Sequence, residues 1–296
     1  MTKTTIDVVI YRDRNYPSSW IDEKAGYPDK IAKFLQERGF KVVNAEELRK
    51  FIVKSIEDDD SHRKLVVFAQ DIIPDTIVED VIDPSNTTLR EFLDQGGSIL
   101  WIGDIPAFYI GQEEKKIINS WEYGAPVFML GVVPVFANSI KTAVKITKEG
   151  KKLGLKHKWS GIRPILPDDD VISLAESEAI FAQPYIRGII KKEVAELLKR
   201  PTRERVIKEL EGRIPLIKPK FVKVEEKELP EISFQHLHET FLNAWFKSYN
   251  EDYLASGFFR IWDFGPRNLT IWMLDELYEI INNICRRLIK QRNKMK

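Results

Sequence analysis

The chain has 296 residues, 43% of them hydrophobic, with 46 lysines and arginines against 45 aspartates and glutamates and a formal charge of +1. That length can bury a sizeable core in one large domain or two small ones. The balanced charge argues against a general polyanion binder, which usually carries a net basic field. The single cysteine, Cys285, excludes an internal disulfide framework and any zinc site built on several cysteines. The opening MTKTTIDVVIYRDR lacks the basic stretch followed by an apolar run that marks a secretory signal. The longest uncharged run, Tyr123 to Ile140, is broken by Gly124, Pro126, Gly131 and Pro134 and is a poor bilayer span. The expectation is a soluble, cytoplasmic protein without a membrane segment.

Strand and helix signals alternate over the first hundred residues. Ile6 to Tyr11 is a β-branched run with the length of a buried strand. Pro28 opens a helix in which Ile31, Phe34 and Leu35 recur at helical spacing, and Gly39 ends it. Phe40 to Val43 reads as a second strand, Glu46 to Ile56 as an amphipathic helix, Asp58 to Asp60 as a turn, and Leu65 to Ala69 as a third strand. Thr88 to Asp94 is helical, Gly96-Gly97 stops it, and Ser98 to Ile102 forms a strand running into Gly103-Asp104. Such alternation predicts an α/β fold, a mostly parallel sheet with helices on both faces. Ligand-binding groups then gather at the carboxyl ends of the strands. That places Arg12, Asp13 and Arg14, then Gln70 and Asp71, then Gly103 and Asp104, along one edge.

Beyond that unit the pattern is less regular. Lys145 to Thr147 reads as a strand, and Lys148 to Arg163 as a basic segment enclosing Trp159. Helical patterns over Ile186 to Leu198 and Thr202 to Glu211 flank Pro201. The proline-bearing, charged stretch that follows makes 185–235 an excursion or insertion in a single domain spanning 1–296. The remaining elements are predicted as a helix from His236 to Tyr249, a strand from Gly257 to Trp262 and a long helix from Leu269 to Lys290. In that last helix Leu274, Leu277, Tyr278, Ile281, Ile284, Cys285 and Leu288 share one stripe.

Three phrases carry a family resemblance: IDVVIYRDR with the later ERGFKVV, LREFLDQGGSILWIGD, and GFFRIWDFGPRN before the closing helix. Together they resemble the class I glutamine amidotransferase-like fold, a flavodoxin-like three-layer sandwich, in its trehalose-utilisation (ThuA-like) branch. The resemblance implies a nucleophilic cysteine on the turn after the strand SILWI, and here Gly103 occupies that place. Cys285 lies on an apolar helical stripe, where a small buried residue is the ordinary role. Phe234 to Glu239 lacks the proline of the family's His-Pro-Glu phrase. Glutamine hydrolysis by the family mechanism is therefore not expected.

The candidate ligand-binding residues are Arg12, Asp13, Arg14, Tyr16, Trp20, Gly103, Asp104, Asp263 and Arg267. Guanidinium groups after a buried strand suit an anionic or polyhydroxyl ligand, and Tyr16 and Trp20 offer flat faces beside them. The plainer reading is a charged loop packed over the sheet edge. Asp13, Asp104 and Asp263 are candidates for acid–base work if their carboxylates converge, and Asp104 is otherwise a cap for the following turn. His236 and His238 would share a face only on a strand and lack a third ligand, so no metal is expected. Neither a phosphate loop nor a dinucleotide-binding glycine turn is present, so no cofactor is expected.

These features predict a non-catalytic domain that binds a small polar ligand or a protein partner. The alternative is a cysteine-independent, ThuA-like enzyme acting on a carbohydrate or small polar substrate through Asp13, Asp104 and Asp263. A second alternative is nucleic-acid binding through 148–163, where lysines surround Trp159. The sequence leaves the oligomeric state open.

Overall fold

The computed structural model describes residues 5–19, 21, 23–80, 83–120, 124–134, 144–159, 161, 163–178, 240–263 and 270–295. In chain order the first elements are β1 (Asp7–Tyr11), α1 (Tyr27–Gln36), β2 (Lys41–Val43), α2 (Ala45–Glu57), β3 (Lys64–Phe68), β4 (Ile73–Pro74), α3 (Thr88–Asp94) and β5 (Ser98–Ile102). They are followed by β6 (Tyr109–Gln112), β7 (Lys116–Ser120), α4 (Gly124–Phe128), β8 (Lys145–Ile146), α5 (Lys148–Leu153), β9 (Val171–Glu178), β10 (Thr240–Lys247) and β11 (Phe258–Ile261). The last helix, α6, runs Ile271–Met295.

An eight-stranded sheet in the order β2-β1-β3-β5-β11-β10-β9-β8 forms the middle layer. The first five of these strands are mutually parallel, and β10, β9 and β8 continue the sheet antiparallel. A small sheet, β4-β6-β7, stands apart. Strand alternation sorts the apolar residues cleanly. Val9, Tyr11, Val66, Phe68, Ile99, Trp101 and Phe258 point to one face, where Leu48 and Ile52 of α2, Leu89 and Phe92 of α3 and Ala125 of α4 cover them. Ile10, Leu65, Val67, Leu100, Ile102, Phe259 and Ile261 point to the other, under Ile31 and Leu35 of α1, Leu153 of α5 and Leu277, Ile281 and Ile284 of α6. Two helical layers around a twisted, mostly parallel sheet make the α/β three-layer architecture the sequence predicts.

Local signals set the helix ends. Asn44 caps α2 in a reciprocal box with Glu47, and Thr87 caps α3 through Arg90. The segment 148–163 begins as α5, capped by Thr147 and closed by the left-handed Gly154.

One sequence expectation is overturned. Residues 240–247 of the predicted helix 236–249 form strand β10, not a helix. Leu242 and Trp245 serve one core and Ala244 and Phe246 the other, because β10 lies inside the sheet between β11 and β9. A strand covered on both faces shows no polar alternation, so TFLNAWFK mimics a buried helix.

Candidate functional site

The chain leaves β1 for β2 on one side and returns to β3 on the other. The carboxyl ends of β1 and β3 therefore flank the topological switch, where open α/β sheets bind ligands. Arg12 leaves β1 into this crevice and is buried there. Its Nη1 donates to Gln70 Oε1 and to the Asp13 carbonyl, each at 3.0 Å, and its Nε donates to Asp29 Oδ1 at 2.9 Å. Gln70 also accepts the Asp13 N–H at 3.0 Å and donates to the Pro17 carbonyl at 2.5 Å. Asp71 accepts the N–H groups of Ser19 and Ile21 at 2.9 and 3.1 Å, with both serine hydroxyls of 18 and 19. The loop after β1 is thus folded into the crevice, with Tyr16 and Ile21 buried.

In that arrangement Asp13 is a structural acceptor. Its Oδ1 takes the Asn15 N–H at 2.9 Å, and its Oδ2 takes the Ala45 N–H at 3.1 Å, on the first turn of α2. Tyr16 donates to Asp75 at 2.8 Å; burial, then that hydrogen bond, raise its phenol well above the ordinary range. Arg14 alone of the three charged residues after β1 is exposed, and its Nε lies 3.2 Å from Asp29. Burial would raise Asp29, but the hydrogen bonds and charges of Arg12 and Arg14 hold it below the usual carboxylate range.

A second charged cluster closes the ends of β5 and β11. Gly103 takes a left-handed φ of 101° and turns the chain out of β5. Asp104 follows, 2% exposed, accepting the Ile105 N–H at 2.7 Å and lying 3.2 Å from Arg163 Nε. Asp263 is fully buried and accepts three donors: Trp159 Nε1 at 2.6 Å, the Arg163 N–H at 2.9 Å and Asn243 Nδ2 at 2.7 Å. Arg260, at an inward strand position, donates to the carbonyls of Gly103 at 3.1 Å, Arg163 at 2.5 Å and Asp263 at 3.4 Å. Gly161 makes the close approach possible, since a Cβ there would sit 2.0 Å from Asn243 Nδ2.

Burial dominates the electrostatics of this cluster. It pushes the Asp104 carboxyl up to about 6, against the pull of Arg163 and then Arg260. It likewise lowers the Arg260 guanidinium, opposed by the charges of Asp263 and Asp104.

The structure therefore brings Asp104 and Asp263 together through Arg163 and gives Asp13 to the separate Arg12 cluster. Sequence reasoning missed Arg260, whose signal is a charge on an inward position of the apolar strand FFRI, and Asn243, hidden inside β10. The nucleic-acid alternative offered Trp159 as a ring for stacking, whereas it is 7% exposed and tied to Asp263. His157 and Lys156 are engaged by Glu276 and Glu279 of α6. Cys285 packs partly buried on the α6 stripe, and burial pushes its thiol up to about 11. Trp20, Arg267, His236, His238 and the excursion at 185–235 lie outside the described residues.

Among the described residues no group of three or more His, Cys, Asp or Glu side chains is placed to hold a metal ion. No helix among them is long and apolar enough to cross a membrane.

Comparison with known proteins extends the picture. An uncharacterized protein of Methanocaldococcus jannaschii, MJECL34, is 32% identical over 158 residues, which cover 52% of this chain and 50% of that one. The chain thus spans about half the length of the curated relative it matches. No solved structure matches it. The MJECL34 family model matches residues 6–194, more than half of the chain, a span that carries β1 to β9 with Arg12, Asp13, Gln70, Asp71, Asp104 and Arg163. On that match, the chain belongs to the MJECL34 family.

Proposed function

We propose that the chain is a non-catalytic relative of the class I glutamine amidotransferase-like, ThuA-like fold, serving as a small-polar-ligand binding or assembly module. The strand order 2-1-3-4-5 of its parallel half, counted in chain order, agrees with a flavodoxin-like scaffold. The observation that carries the reading is the turn after β5. Gly103, with a left-handed φ, stands where the resemblance would put the nucleophile, and Asp104 beside it is turned inward onto Arg163. The thiol of Cys285 lies on α6 and is held protonated at neutral pH, so it supplies no replacement.

The experiment is hydrolysis of glutamine and simple amides by the purified protein, alongside its Cys285→Ser variant. Release of ammonia at the blank rate in both is the expected result. Turnover that survives Cys285→Ser would refute the non-catalytic reading.

A second reading has one observation behind it. A buried carboxyl raised to about 6 is in the working range of a general acid or base, which favours a cysteine-independent enzyme acting through Asp104. Asp263, satisfied by three donors, would then position Arg163 and not touch substrate. A carbohydrate or other small polar substrate whose turnover follows a pH profile breaking near 6, lost in Asp104→Asn, would support this reading over the first.

A further inference from the structure

Two basic stretches far apart in sequence meet on one face of the molecule. The hydrogen bond from Asn283 Nδ2 to the Leu153 carbonyl, at 3.0 Å, fixes the end of α5 against the middle of α6. Arg286, Arg287 and Lys290 lie three, four and seven residues beyond Asn283, so helical periodicity carries them along the side of α6 that α5 occupies. The first turn of α5 reaches Arg287, whose guanidinium feels the charge of Glu149. Beside α5, an open groove of about 690 Å³ is lined by Lys145, Thr147, Lys148, Lys151, Lys152 and Glu176.

Charge on this face is only partly cancelled: Glu149 acts on Lys148 and Arg287 as well as Lys152, and Glu176 stands opposite Lys145 in the β8–β9 register, leaving basic residues in excess. Lys152 is paired with Glu149, and Glu279 and Glu276 of α6 are taken by Lys156 and His157. Among the described residues no carboxylate forms a direct ion pair with Lys145, Lys148, Lys151, Arg286, Arg287 or Lys290. Arg287 is half-buried and held over the Phe246 ring, 4.2 Å from its centroid, so it frames the face more than it presents a free charge. The near-zero net charge of the whole chain conceals this separation.

We propose that the face formed by α5, the groove beside it and the C-terminal half of α6 docks the phosphate backbone of a nucleic acid. Several lysines and arginines outside direct ion pairs, around an open and shallow groove, match a ridge of phosphates, and they release counterions when it seats. A membrane surface fits less well, because stable anchoring takes apolar insertion as well as charge. The large exposed apolar side chains Trp272 and Ile271 sit at the opposite end of α6. Contact is to the backbone and independent of base sequence, since Trp159 is committed to Asp263 and offers no stacking platform. The proposal is independent of the ligand reading above, which concerns the carboxyl edge of the sheet.

The test titrates the full chain into a labelled 20-base-pair DNA duplex and, in a second arm, an RNA duplex of the same length, across a salt series. With about four phosphate contacts, log affinity should fall against log salt with a slope of about −3 to −4. Lys148→Glu/Lys151→Glu and Arg286→Glu/Lys290→Glu should each weaken binding at least about tenfold and flatten the slope by about 2. A control of equal charge change on other helices, Lys30→Glu/Lys50→Glu, should keep both affinity and slope. Circular dichroism melts confirm that each variant is folded. Binding in either arm with this pattern supports the proposal, and the stronger arm identifies the nucleic acid. It is overturned by absence of salt-dependent binding in both arms, by a control that weakens as much as the two variants, or by capture on phosphatidylserine vesicles with none on DNA or RNA.

Discussion

The Arg12 cluster and the Arg163–Arg260 cluster sit at neighbouring strand ends and use the same residue types, yet they hold different things. Around Arg12, Gln70 and Asp71 the partners are mostly backbone groups of one loop, residues 13–21, and one acidic partner, Asp29, is half-exposed. Around Arg260 and Asp263 the partners come from β5, β10, β11 and the 159–163 segment, and both charges are buried. The first cluster fastens a loop to a scaffold already formed. The second ties the parallel half of the sheet to its antiparallel extension. Buried charge of the second kind is costly to disturb because no water reaches the groups left behind.

Breaking each cluster should separate them. Arg260→Met removes the donor to three buried carbonyls and the counter-charge beside Asp104 and Asp263. It should cost about 3–5 kcal/mol in urea unfolding. The pH dependence sharpens the contrast further. With a folded value of about 6 against 3.8, the native state holds the Asp104 proton more tightly than the unfolded chain does. Stability from this group is therefore present near pH 4 and falls as pH rises through 6, by about 3 kcal/mol in all. Asp104→Asn should remove that decline, so the stability difference between variant and wild type should change by about 2.4 kcal/mol between pH 4 and 7. A difference that stays constant over the range would contradict the burial of this carboxyl.

In the Arg12 cluster the effects should be smaller. Asp13→Ala leaves two backbone N–H groups without their acceptor, one of them on the first turn of α2, and should cost about 1–3 kcal/mol. Arg14→Ala removes only an exposed ion pair and should change stability by less than about 0.5 kcal/mol. An Arg14→Ala cost as large as that of Asp13→Ala would show that the loop depends on its surface charges and not on the buried acceptors.

What the sequence made legible follows from how locally each feature is encoded. Strands β1, β3 and β5 and helices α1 to α3 were readable because period and caps lie within ten residues of each other. The edge position of Arg12, Asp13, Asp104 and Asp263 followed from the same alternation. Strand β10 was not readable, because burial on both faces erases the polar period that distinguishes a strand. The small sheet β4-β6-β7 was not readable because its two- to five-residue strands, IP, YIGQ and KIINS, lack the continuous apolar runs that mark β1, β3 and β5. The roles within the candidate site were hidden for another reason. Whether Asp263 grips a ligand or a neighbouring strand depends on Trp159, Arg163 and Asn243, which reach it from 104, 100 and 20 residues away.

The most direct measurement of the central claim, that these charged residues are internal ties, is the unfolding free energy of Asp263→Ala. The variant leaves Trp159, Arg163 and Asn243 with unmatched buried donors, and its urea midpoint should fall by the equivalent of about 3–5 kcal/mol with the m-value unchanged. A midpoint within about 0.5 kcal/mol of wild type would contradict the account and return Asp263 to the ligand-binding candidates.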